Sequence, residues 1–211
     1  MAMSLDGRTA MSNGDSAWIT SADARQDVQH WRARSSAILS GVDTVIYDDP
    51  SLNVRMDNPQ QRQPLRVIVD SSLRTPLTAK TLSLPGEVVV VHVNSAASEK
   101  RHALQSRGVR LVGVAGTSRV DLADMLKQLA VEGINEVHVE AGATLCGALL
   151  AEGLVDELVI YMAPILMGDG GRGLFHLPEI EMMSQRKRLK IVDIRAVGED
   201  WRMIAQPVNE E

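Results

Sequence analysis

One cysteine, Cys146, stands in a chain of 211 residues. That scarcity excludes an internal disulfide framework and any cysteine-cluster zinc site, and it suits a reducing compartment such as the cytoplasm. Aromatic residues are equally sparse, with three Trp, two Tyr and one Phe, too scattered to form a base-stacking platform. Positive charge is not in excess: the formal net charge is −5, which argues against general nucleic-acid binding. No run approaches the roughly 20 apolar residues of a membrane span, and the N-terminus reaches Asp6 and Arg8 too soon for a signal-peptide core. The five histidines, His30, His92, His102, His138 and His176, show no paired ligand spacing, so no metal site is expected. An anionic ligand would have to be held by local arginines.

What the chain does contain is ordinary for a globular protein, 45% hydrophobic and 23% charged residues, enough for one sizeable core and a single domain over 1–211. Short β-branched runs alternate with helical patterns, which predicts an α/β fold with a mostly parallel sheet flanked by helices. Strands are expected at Ala2–Leu5, Ala37–Leu39, Leu65–Val69, Val88–Val93, Val109–Val114 and Glu136–Glu140. Helices are expected at Ala22–Arg34, capped by Ser21, and at Ser98–Arg107, Leu122–Glu132 and Leu145–Glu152, with Gly108, Gly133 and Gly153 as their stops. Beyond Gly153 the pattern turns to strands at Glu157–Pro164, Leu189–Val197 and Trp201–Pro207. The last two read as an antiparallel hairpin at one edge of a mixed sheet. Met56–Gln63 and the glycine-rich Gly168–Gly173 read as long loops, the latter either a lid or a plain flexible loop.

The most informative stretch is His138-Val139-Glu140-Ala141-Gly142-Ala143-Thr144-Leu145-Cys146-Gly147-Ala148-Leu149-Leu150. A strand ends in a carboxylate, a small-residue turn follows, and Thr144 is placed to cap a helix whose free N–H groups suit an anion. Small side chains from Ala141 to Ala148 would let a large ligand approach the backbone. Strand-glycine-helix junctions are also plain turns, and Glu140 at the end of a buried strand needs a partner, either an internal cation or a substrate group.

Ordered motifs elsewhere make this segment specific. Met3-Ser4-Leu5-Asp6-Gly7-Arg8-Thr9-Ala10, Ser16-Ala17-Trp18-Ile19-Thr20-Ser21, Thr44 to Arg55 with its Asp48-Asp49-Pro50, Arg66 to Pro76, Val139-Glu140-Ala141-Gly142, Leu154 to Leu158 and Ala163-Pro164 follow in order. Together they resemble the reductase domain of the riboflavin-biosynthesis deaminase/reductase, from Met3 to about Trp201. The resemblance implies a dihydrofolate-reductase-like fold, NADPH as reductant, a homodimer, and a phosphorylated ribosylamino-pyrimidine whose ribosyl group becomes ribityl.

Residue by residue, the resemblance places Asp48 at the nicotinamide end of the cofactor, for proton handling or for stabilising a cationic imine, and makes Glu140 a substrate contact and a second candidate for the proton chemistry. Asp49 reads as a turn residue. Ser16, Arg32, the backbone near Leu52, and Arg55 are implied at the substrate's phosphate and polar ring, where the planar arginine fork can hold two oxygens at once. For the cofactor the matching positions are Ala2, Trp18, Thr44, Asp48, Ser71 and Gly142, Ala143, Thr144, Leu145, Cys146, Gly147 and Ala148. Trp18 would cover a ring or else fill the core. Arg74 is a further candidate for the adenosine 2′-phosphate, and Arg25 and Arg34 read as surface residues.

Two features depart from the family. The zinc deaminase usually fused to it carries H-x-E and P-C-x-x-C signatures that are absent here, so deamination is not expected of this chain, and the native protein would be fused to or associated with that domain. The first strand is also short, as in a fragment, which leaves the role of Ala2 open. A reductase of the same fold acting on a pteridine or dihydrofolate, or a catalytically silent dimerisation module, are the alternatives.

Overall fold

The computed structural model describes residues 1–56, 62–95 and 98–208, so most of the loop expected over Met56–Gln63 lies outside the described residues. In chain order the elements are β1 (Ala2–Ser4), β2 (Arg8–Ala10), α1 (Ala22–Arg34), β3 (Ala37–Gly41), α2 (Val42–Asp48), β4 (Leu65–Val69), α3 (Lys80–Ser83), β5 (Val88–Val93) and α4 (Ser98–Gln105). They continue as β6 (Arg110–Val114), α5 (Leu122–Val131), β7 (Val137–Val139), α6 (Ala143–Ala151), β8 (Leu158–Ala163), β9 (Arg172–Gly173), β10 (Leu189–Val197) and β11 (Asp200–Pro207). The chain groups into two compact units, Met1–Val28 with Ala143–Glu211, and Gln29–Gly142.

The unit Gln29–Gly142 is built on a five-stranded sheet in the order β6-β5-β4-β3-β7, parallel throughout. Its central strands are the apolar runs of the sequence: all six residues of β5 are buried, as a strand covered on both faces requires. α2 and the strands share a core of Val42, Val45, Ile68, Leu73, Val88, Val90 and Leu104. Arg66 is buried beside this core, and its guanidinium donates to the carbonyls of Thr81, Leu84, Pro85 and Gly86 and so ties the connection after α3 to β4. Burial pushes its pKa down from the usual arginine value.

Chain order β3, β4, β5, β6 advances across the sheet in one direction, and the chain then returns to place β7 on the other side of β3. The adjacent pair β3 and β7 is therefore the point where the winding reverses. Open parallel sheets bind ligands outside the carboxyl ends of such strands.

The other unit carries a four-stranded sheet, β1-β8-β11-β10, and the small pair β2-β9. β1 runs parallel to β8, while β8-β11 and β11-β10 are antiparallel. The expected hairpin is present, turning at Gly198 with φ +61. It differs from expectation in its sheet: it extends β8 and β1 and is not an edge of the parallel sheet, because β11 pairs with β8 over five residues. The glycine-rich loop is tethered. The Asp6 carboxylate accepts N–H groups from Met167 and Gly168, and the last two residues of the stretch form β9, which pairs with β2.

α2 and α3 were not legible in the sequence. Val42-Asp43-Thr44-Val45-Ile46 is β-branched and reads as extended; burial of Val42 and Val45 makes it helical. α6 begins at Ala143, two residues before the expected start, which corrects Thr144 from a cap to a residue inside the first turn.

Candidate active site

At the carboxyl ends of β3 and β7 the backbone locks the two strands together. The Glu140 N–H donates to the Leu39 carbonyl at 2.8 Å, and the Ser40 hydroxyl donates to the Glu140 carbonyl at 2.7 Å. Gly41 leads directly into α2 and has no side chain to cap it. On α2, Thr44 and Asp48 are four residues apart and share one face. A Cβ placed on Gly142 would meet only the Thr44 hydroxyl, at 3.9 Å. The edge thus brings Thr44, Glu140 and Gly142 together, and the open space at Gly142 leaves room for a phosphate-bearing cofactor.

Glu140 is held by Arg32. Nε and Nη2 of the guanidinium donate to Oε1 and Oε2, each at 2.6 Å, and Nη1 donates to the Asn53 carbonyl at 2.8 Å. His138, two residues back on the same strand face, places Nε2 3.2 Å from Oε1. Burial alone would raise the Glu140 carboxyl; the Arg32 fork and then His138 override it and hold the group well below the usual carboxylate range. The internal ion pair left open by the sequence is therefore present, and the two residues assigned to substrate bind each other.

The segment after α2 is strained. Asp49 adopts φ +41 ahead of Pro50, a left-handed conformation that Asp tolerates better than most residues. Its Oδ1 accepts the Lys80 N–H at 2.7 Å, so Asp49 caps α3 and is the turn residue the sequence suggested. Leu52 is buried at φ +46, a conformation that costs a branched side chain about 1–2 kcal/mol. Arg55 is exposed, and its guanidinium meets no acceptor among the described residues.

Ser71 lies two residues beyond β4, and its hydroxyl accepts the Val120 N–H at 3.1 Å. Arg74, offered for a 2′-phosphate, pairs with Asp43 at 2.6 Å, both side chains at least half exposed. Neighbouring Asp70 is fully buried, with Oδ2 accepting both the N–H and the hydroxyl of Thr75.

In the other unit, Ala2 opens β1 opposite Tyr161, and Ser16 is exposed. Trp18 does not fill the core: it is 77% exposed and its ring is covered by Arg25, with the guanidinium carbon 4.7 Å from the centroid. Of the α6 run, Thr144 is exposed, Ala143, Leu145 and Ala148 are half-buried, and Cys146 and Gly147 are buried. Gly147 is corrected as a point of ligand approach, because a Cβ there would collide with the His176 backbone, whose N–H donates to the Ala143 carbonyl at 3.0 Å. Sequence reasoning missed Gln29 and His138 at this site; the i, i+3 spacing of Gln29 and Arg32 on α1 was the available signal.

Comparison with known proteins matches the family model described as the RibD C-terminal domain over residues 1–203. The chain is 42% identical over 208 residues to the riboflavin biosynthesis protein RibD of Escherichia coli (strain K12), covering 93% of this chain and 56% of that protein. It is 36% identical over 208 residues to the 5-amino-6-(5-phosphoribosylamino)uracil reductase of Buchnera aphidicola subsp. Acyrthosiphon pisum, covering 93% of this chain and 99% of that protein. A solved structure of Acinetobacter baumannii RibD superposes with a TM-score of 0.86 at 42% identity, covering 99% of this chain and 56% of that one. The chain thus spans little more than half the length of the RibD relatives, and it belongs to the RibD C-terminal domain family.

Proposed function

We propose that the chain catalyses NADPH-dependent reduction of the ribosyl group of 5-amino-6-(5-phosphoribosylamino)uracil to its ribityl product, in riboflavin biosynthesis. The observation that carries the reading is the edge of β3 and β7, where Thr44, Glu140 and Gly142 converge at the winding reversal. A relative of the same length bearing the reductase name supports it.

NADPH, when bound, supplies hydride to the C1 carbon of the sugar. The chain's residues bind and orient around that carbon. Backbone N–H groups at Gly142 to Leu145, with Thr44, hold cofactor phosphate without a lysine. Ala2, Trp18, Ser71 and Arg74 complete the cofactor set, and Ser16, Arg32, the Leu52 backbone and Arg55 the substrate set. Glu140, held ionised by the Arg32 fork, accepts hydrogen bonds from substrate N–H or O–H groups, and Asp48, exposed at the end of α2, is the first of the two carboxylates for proton handling.

Two further readings accompany this one. Trp201, Met203 and Ala205 alternate onto one face of β11, opposite Ala196, Ile194 and Ile191 of β10, and Ile191, Ile194 and Trp201 are about half exposed. An exposed apolar sheet face supports a homodimer. The lengths of the RibD relatives support fusion to, or association with, a zinc deaminase domain. No described helix is long and apolar enough to cross a membrane, and with the lone buried Cys146 the reaction is assigned to the cytoplasm.

The test is an NADPH-oxidation assay with the deaminated pyrimidine, its undeaminated precursor and dihydrofolate side by side. Oxidation with the deaminated compound alone is expected; turnover of dihydrofolate in its place would transfer the chain to another substrate class.

A further inference from the structure

The segment Leu52–Arg55 lies outside every sheet, yet its backbone is held almost as a strand would be, by side chains. Gln29 is 5% exposed and its Oε1 accepts the Arg55 N–H at 2.9 Å. One turn along α1, Arg32 donates to the Asn53 carbonyl at 2.8 Å. On Val54, between them, the amide of Gln63 acts as a fork: Oε1 accepts the Val54 N–H at 2.9 Å and Nε2 donates to its carbonyl at 3.1 Å, the exchange of bonds a neighbouring strand would make.

The alternate side chains Leu52 and Val54 are buried, and Leu52 is fixed in a left-handed conformation that only an over-determined setting sustains. Satisfying irregular backbone in this way removes its freedom. Arg55, the next residue, is exposed and its guanidinium meets no acceptor among the described residues.

We propose that Gln63 and Gln29 are positioning residues that hold the Leu52–Arg55 segment rigid, so that the Arg55 guanidinium is presented to the phosphate of the substrate. The proposal rests on the reading of Arg55 as a phosphate contact. A preorganised backbone lowers the ordering cost of binding, and it acts on affinity and not on the chemical step.

The experiment is a double-mutant cycle in the full chain, with KM for the phosphorylated substrate, KM for NADPH and kcat read together. Gln63→Met, close in size and unable to make the fork, raises the substrate KM by about tenfold, one hydrogen bond's equivalent, and leaves kcat and the NADPH KM unchanged. In an Arg55→Ala background the same change adds nothing further. Gln29→Met, which loses the acceptor, raises the substrate KM in the same way. Additive losses, or equal losses in the NADPH KM, overturn the proposal. An unchanged substrate KM in Arg55→Ala removes the reading beneath it instead. If Gln63→Met does not fold, Gln63→Glu, which keeps the acceptor and loses the donor, gives the same cycle with a smaller step, and its additivity decides in the same way.

Discussion

Arg32 and Glu140 face each other as a fork on a carboxylate, with Nε on Oε1 and Nη2 on Oε2 at 2.6 Å each. Only 10% of the arginine side chain is exposed, so removing it strands a largely desolvated anion. Arg32→Ala is expected to lose about 3 kcal/mol of stability, measured by urea denaturation. Arg32→Lys, which cannot reproduce the planar fork, is expected to keep the fold with a substrate KM raised at least about tenfold.

The same pair gives the protein an acid limit. Glu140 titrates far below its ordinary 4.5 because the Arg32 fork and then His138 outweigh burial. Asp6 is lowered from 3.8 to about 2 by the Ser4 hydroxyl, against burial, with help from the Met167 and Gly168 N–H groups. A depressed carboxyl contributes stability above its unfolded pKa and loses it as pH falls towards the folded one. Urea midpoints should therefore hold steady from pH 7 to about 5 and fall progressively below 4.5. In Glu140→Gln the slope below 4.5 should be shallower; an unaltered slope would show that the pair is not coupled to folding.

Gly142 and Gly147, five residues apart, should respond oppositely to alanine. At Gly147 the new methyl meets the His176 carbonyl, and about 1–3 kcal/mol of stability should be lost. At Gly142 there is open space and an unstrained backbone, so the melting temperature should hold while the NADPH KM rises. Thermal melts beside NADPH titrations separate the two.

Asp48→Asn should fold normally, since the side chain is exposed, and lose about 10²-fold in kcat with substrate KM little changed. Steady-state assays across pH check this. Full activity would move the proton step to another group.

Ile194→Glu places a charge in the middle of the exposed apolar face of the hairpin. Light scattering should report a dimer for the wild-type chain and a monomer for the variant, with circular dichroism unchanged. A wild-type monomer would leave that face without a second copy as its cover.

The parallel strands were legible because each is a short, mainly apolar and often β-branched run, and β4 and β5 lie where the sequence put them. α1 was equally plain from its cap and amphipathic spacing. α2 was not, since its β-branched residues favour extension locally and its helix is decided by partners such as Ile68 and Leu73 that are distant in sequence. The sheet joined by the hairpin was hidden for the same reason: β11 pairs with β8 across some forty residues of loop and strand. At the site, residue types were readable and pairings were not. Glu140 was identifiable as a buried carboxylate needing a partner, but Arg32 lies 108 residues away. Gln29 carried only its i, i+3 spacing from Arg32 as a signal, and Gln63 carried none, because a glutamine that braces a backbone looks like any surface glutamine.

Asp48 and Asp49 are neighbours of identical chemistry with separate duties, since Asp49 is committed to the N-terminus of α3 through Lys80. The two acids are consequently not spares for one another. Deleting either one would leave a single acid to hold the Lys80 N–H and to serve in the role proposed for Asp48. A homologue with a single acid at this place should carry a substitute cap on its equivalent of α3, or have no such helix.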